Sequence, residues 1–268
     1  MTQYPKQTND GLPTEERILW ISGALGLLVA FLLTAAVVFA TVGTGTLTTG
    51  YVPVALVFTA AFPRRLGAHP LVTERADLPA ALAQTTDHRR VAFARPSAKS
   101  GRVAGIAPEL VAPCHRRGAF DLTLVKADGA RARLVKSPRA DEPVVPACAE
   151  RTLLIASIHA LARPLDEGIA HRLDEVLAIT GLNKGDWLTP ATLARLFTDP
   201  RGLSRGVGAS QPVPVLHMVD TAAEREHAEM TARLILEHGP AFDRVVLTSN
   251  RAPGLLVTTI ARARGNGG

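Results

Sequence analysis

The sequence predicts a membrane-anchored α/β protein: an N-terminal two-helix transmembrane hairpin, then a soluble mixed α+β region that ends in a β-α-β-β unit. Three observations predict it. Residues 18–63 contain no charged side chain. Charged residues return at Arg64, and from there short apolar runs are punctuated by Gly and Pro. The last third sets strand-length apolar runs on either side of a helix with its own start and stop residues.

The uncharged run is too long for one crossing. A straight helix over 18–63 would reach about 69 Å at about 1.5 Å per residue, whereas a bilayer core is about 30 Å thick and takes about 20 residues. Two crossings fit: Ile18–Ala40, then Thr46–Phe62, with Thr41–Gly45 as the turn. The second is weaker, carrying Gly50, Pro53 and several threonines, whose hydroxyls can bond helical carbonyls in lipid. A cleaved signal peptide is disfavoured because the apolar stretch is long and residues 1–17 are slightly acidic. Arg17, Arg64 and Arg65 flank the hairpin, so the positive-inside rule places both ends in the cytoplasm. The expected location is the bacterial inner membrane, with the soluble part cytoplasmic. Two cysteines without metal-ligand spacing, Cys114 and Cys148, agree with unpaired thiols in a reducing compartment.

Charge divides the rest of the chain. Residues 64–139 carry 15 basic and 6 acidic side chains, and residues 140–268 carry 13 and 15. The expected organisation is a polar tail (1–17), the hairpin (18–63), a basic β-rich juxtamembrane part (64–139) and an α/β part (140–268). The basic part would face anionic lipid. It has almost no aromatic residues to stack bases, which argues against nucleic acid as its partner.

Within the basic part, Arg89–Arg95 reads as a strand. Phe120–Lys136 reads as a β-hairpin about an Asp128-Gly129 turn, with Asp121 opposite Lys136. The proline-spaced Ser137–Pro146 then marks a boundary. Cys148–Ala162 reads as an apolar helix, and Pro164–Thr180 as a second helix ending at Gly181. Thr189 and Pro190 stand as N-cap and first residue of a third. Val213–Val219 is a strand, Thr221–His238 a helix opened by a Thr221/Glu224 capping box, Arg244–Thr248 a parallel strand, and Leu255–Ala263 an antiparallel one.

The candidate ligand site lies at the carboxyl ends of the two parallel strands, where ligands collect in open α/β sheets. The first strand delivers Asp220 and Thr221 at a helix N-terminus, and the second delivers Ser249, Asn250 and Arg251. Free amides, hydroxyls and a guanidinium suit a phosphate or nucleotide. Against this, Asp220 and Thr221 serve equally well as a plain cap. A metal set of His217, Asp220, Glu224 and His227 is disfavoured, because His227 falls in register with the apolar Ala223, Met230 and Leu234. His159, inside IASIHALA, reads as a core histidine. Gly202, Gly206 and Gly208 read as loop glycines, and no Walker A, dinucleotide fingerprint or nucleophile elbow is present. No metal and no cofactor is expected, and no catalytic residue stands out.

These features point to a non-enzymatic accessory or scaffold subunit of a bacterial membrane assembly for secretion, transfer or transport. Its expected partners are the bilayer and a protein within it. Two alternatives stay open: a membrane-bound sensor whose α/β domain binds a nucleotide-like anion, and a membrane-tethered enzyme acting on nucleic acid or phosphate esters.

Overall fold

The structure, a computed structural model, describes residues 54–57, 69–72, 77–84, 90–98, 103–120, 122–127, 129–252 and 255–262. Among the described residues the chain builds two mainly parallel sheets in sequence, each with its own helices, and a two-stranded pair between them in the chain.

The first sheet corrects the membrane-anchored fold. Strand β1 (Val54–Val57) lies inside the segment expected to cross the bilayer a second time. It pairs in parallel with β3 (Arg90–Pro96) on one edge and with β5 (Leu122–Val125) on the other. Strand β2 (His69–Val72) adds outside β3, giving the order β2-β3-β1-β5, and β4 (Val103–Ala104) pairs antiparallel with the end of β3. A parallel strand flanked on both edges takes apolar residues on both faces, so its composition equals that of a lipid-facing helix. Length alone cannot separate the two when the run is short. Among the described residues, no helix is long and apolar enough to cross a membrane. The first expected crossing, Ile18–Ala40, lies outside them.

The basic part is not only β. Helices α1 (Leu78–Ala83) and α2 (Val111–Arg117) pack over one face of β3, where Leu78, Leu82, Val91, Phe93, Cys114 and Phe120 form a core. The rings of Phe93 and Phe120 stack there with centroids 6.5 Å apart. The expected 120–136 hairpin is absent. Strand β5 pairs with β1, and β6 (Val135–Lys136) pairs in parallel with β8 (Ala170–His171). Asp121 and Asp128 lie outside the described residues. Lys136 is buried and sits 3.9 Å from Glu142, which also binds Arg172 at 2.6 Å.

The second sheet runs β11-β10-β9-β7. Residues 148–162, read as a helix, instead hold β7 (Arg151–Ser157) and a 3₁₀ turn (Ile158–Ala162). Strand β7 pairs in parallel with β9 (Gln211–His217), and β9 with β10 (Arg244–Thr248). Strand β11 (Leu256–Ala261) closes the sheet antiparallel to β10. Strand β9 contains Pro212 and Pro214. Two residues apart, they withhold amide donors on the same edge, and pairing to β10 starts beyond them, at Val215 with Val246.

Helix α3 (Leu173–Thr180) starts nine residues later than its expected Pro164, because 163–172 are spent on a turn and β8. It ends at Gly181 in the left-handed conformation, the usual C-terminal solution. Helices α4 (Pro190–Thr198) and α5 (Ala222–His238) both begin on capping boxes, at Thr189/Thr192 and Thr221/Glu224. Together they cover one face of the sheet. Leu154, Ala156, Leu216, Val245 and Leu247 point into that core and meet Leu193, Phe197, Ala232 and Ile235. Val213, Val215 and Val246 form a smaller cluster on the opposite face.

Candidate functional site

The carboxyl edge of the second sheet gathers three connections. The 3₁₀ turn leaves β7, residues 218–221 join β9 to α5, and residues 249–255 join β10 to β11. Backbone bonds fix two of them: the Val219 amide donates to the Thr248 carbonyl at 3.0 Å, and the Ser249 amide to the Leu255 carbonyl at 2.9 Å. Met218 stands at φ 65°. That is a strained conformation for a bulky side chain, and such strain concentrates at functional sites. It turns the chain out of β9 so that Asp220 points across to β10. Beneath the turn, the Ser157 hydroxyl donates to the Met218 sulfur at 3.1 Å and accepts from the His159 amide at 3.2 Å.

Asp220 is the hub. Its side chain is 10% exposed. The Ser249 hydroxyl donates to one carboxylate oxygen, and the Arg251 guanidinium lies 3.5 Å from the other. The Ser249 hydroxyl also accepts from the Arg251 amide at 2.9 Å. Thr221 caps α5 by accepting from the Glu224 amide at 3.3 Å. The Glu224 carboxylate in return accepts from the amides of Asp220 and Thr221, each at 2.8 Å. Burial works against ionisation of Glu224, but those amides, the Thr221 hydroxyl and nearby His159 outweigh it and hold the carboxyl below its usual range.

An open cleft of about 360 Å³ lies over this edge, lined by Thr221, Arg225, Ser249 and Arg251 with Asp220 in its floor. Four of the five expected site residues therefore come together. Asn250 is exposed and does not line the cleft. Arg225 does line it, although no strand-end argument pointed there. It falls one turn into α5, where a side chain at that spacing returns over the helix start. Arg225 also reaches Glu229 at 2.9 Å, one turn further on.

The histidines are arranged otherwise than the sequence implies. His227 is exposed, because the inner face of α5 is Ala228, Thr231, Ala232, Ile235 and Leu236 rather than the face through Met230. His217 is buried, with Nδ1 2.9 Å from the Thr248 hydroxyl. Desolvation pushes its pKa down to about 4, with His159 adding to the shift and Asp220 opposing it. His159 is no core residue: it reaches the site edge with Nε2 2.9 Å from a Glu224 oxygen. The disfavoured set of His217, Asp220, Glu224 and His227 does not assemble, and instead His159, Asp220 and Glu224 stand together with ligand atoms within 4.8 Å of one another. Reading 148–162 as a strand would have placed His159 at this edge.

Residues 46–174 match the model of the YqeC protein family. That segment holds the first sheet, β7 and His159, while Asp220, Glu224, Ser249 and Arg251 fall outside it. The protein named "Uncharacterized protein YqeC" of Escherichia coli (strain K12) is 29% identical over 110 residues, 41% of this chain and 43% of that one. The chain therefore matches less than half the length of this curated relative. No solved structure matches.

Proposed function

We propose that the chain binds a nucleotide-like anion through a phosphate group in the cleft at the carboxyl edge of β9 and β10. Binding, rather than turnover, is the role this assigns: the protein acts as an accessory or sensing component. The observation that carries the reading is the convergence of Thr221, Ser249, Arg225 and Arg251 on one cleft at the start of α5. The first amides of a helix have no partner within the helix and favour negative charge. Glu224 takes up those of Asp220 and Thr221, and the Thr221 hydroxyl that of Glu224, while Ala222, the first residue of α5, lines the cleft. Arg251, with a side chain 68% exposed, is free to swing from Asp220 to a phosphate.

The test is thermal unfolding of the full chain with inorganic phosphate and with ADP. A ligand at about 100 times its Kd stabilises by about 2.7 kcal/mol, which is a readily measured rise in Tm. Arg251→Ala should weaken ADP binding at least tenfold while leaving the ligand-free Tm nearly unchanged, since the Arg251 side chain is mostly exposed, its contact with Asp220 is long at 3.5 Å and Ser249 still bonds that carboxylate. A chain whose Tm responds to neither ligand, or responds equally in Arg251→Ala, would refute the reading.

A further inference from the structure

We propose that His159, Asp220 and Glu224 form a site for a divalent first-row transition ion, of the Mn²⁺ or Zn²⁺ type, beside the same cleft, which Asp220 lines. The three donors come from three separate segments: the turn after β7, the turn after β9 and the first turn of α5. Their ligand atoms nevertheless lie within 4.8 Å of one another. His159 Nε2 stands 2.9 Å from a Glu224 oxygen but makes no hydrogen bond, although that nitrogen is buried. Buried polar atoms are nearly always satisfied. A nitrogen facing a carboxylate at this separation without alignment is what two neighbouring ligands of one ion look like: at bond lengths of about 2.1 Å, adjacent octahedral ligands stand about 3 Å apart. Opposite octahedral ligands stand roughly 4.2 Å apart, so donors that all lie within 4.8 Å of one another are close enough to meet on one ion after a small χ adjustment.

The donor chemistry selects the ion. One imidazole with two carboxylates suits Mn²⁺, Fe²⁺ or Zn²⁺, whereas Mg²⁺ and Ca²⁺ favour all-oxygen shells. Glu224 stays ionised and is fixed by the Asp220 and Thr221 amides, and Asp220 is oriented by Ser249, the kind of outer bonding that holds metal ligands in place. Three protein ligands leave an octahedral ion coordination positions for water or a ligand oxygen. The cation also removes an electrostatic conflict, since a phosphate in the cleft would otherwise face the Asp220 carboxylate that lines it. In this respect the inference rests on the anion reading, and the ion becomes the bridge between Asp220, Glu224 and the phosphate.

The experiment titrates MnCl₂ into the purified, chelator-stripped full chain, following free Mn²⁺ by its paramagnetic resonance signal, and repeats it with ZnSO₄ and MgCl₂ by calorimetry. One saturable Mn²⁺ or Zn²⁺ site is expected, with Mg²⁺ at least tenfold weaker. His159→Gln and Asp220→Asn should each weaken it at least tenfold, and His227→Gln, on the outer face of α5, should leave it unchanged. Circular dichroism checks that the variants fold, and Asp220→Asn carries the test if His159→Gln does not. No saturable binding, or binding indifferent to these changes, overturns the site. ADP is then titrated with and without Mn²⁺, and at least tenfold tighter binding with the ion is expected. ADP binding in chelator with no metal site sinks this inference alone, and metal binding with no ADP binding sinks the anion reading alone.

Discussion

His217 shows how much one buried residue can set. Its imidazole is neutral in the folded chain, with a pKa of about 4 against 6.5 in the absence of burial. Between these values the unfolded chain binds a proton that the folded chain refuses, so stability rises with pH through this window. The contribution is complete above about pH 6.5 and is lost progressively as pH falls toward 4, amounting to a few kcal/mol at most. Urea unfolding of His217→Gln should lose that part of the pH dependence, and an unchanged slope would mean His217 is solvated. The two thiols make a second contrast. Cys148 is exposed and Cys114 is buried, with desolvation raising its pKa to about 11. Thiolate is the reactive form, so a maleimide should modify Cys148 alone in the native protein and Cys114 only after denaturation, as mass spectrometry would resolve. The pattern CHRR around Cys114 could not have shown this, because its burial comes from β3 and α1, far along the chain.

Among the elements, local chemistry and the pairing of β9, β10 and β11 were legible, and the pairing of the earlier strands was not. Thr221 and Glu224 sit three apart and form the capping box they suggest, and Thr189-Pro190 opens α4 as expected. Thr221→Ala should cost about 1 kcal/mol in chemical denaturation. By contrast, 148–162 carries helix-forming Ala and Leu throughout, and only the ladder to β9, seven residue pairs long, makes 151–157 a strand. That misreading hid His159. The Asp128-Gly129 turn misled for the same reason: parallel pairing of β5 with β1 prevails over the nearby hairpin. Strand β1 offers a sharp test. Proline within a strand paired on both edges removes a ladder bond and clashes, so Leu56→Pro should unfold the first sheet, losing the protection of Cys114 from maleimide. A transmembrane helix would accept that proline far more readily, and retained protection would contradict the strand.

For the molecule as a whole, the apolar N-terminal run divides: part of it supplies a central strand, and the two-span anchor that composition and charge flanks suggested does not stand. The site edge was found from strand ends and a helix cap, and Asp220, Thr221, Ser249 and Arg251 meet there. What completed it, His159 and Arg225, required knowing which strand lies beside β9 and how α5 turns. A crystal structure of the full chain with ADP and MnCl₂, with anomalous diffraction collected for manganese, would distinguish an occupied site from a bare helix cap. An anomalous peak bonded to His159 Nε2, Asp220 and Glu224 is expected, with a phosphate group within hydrogen-bonding distance of Thr221 or Arg251. Nucleotide density at another place, or a cleft holding neither ion nor phosphate at saturating concentrations, would contradict both the metal site and the anion site.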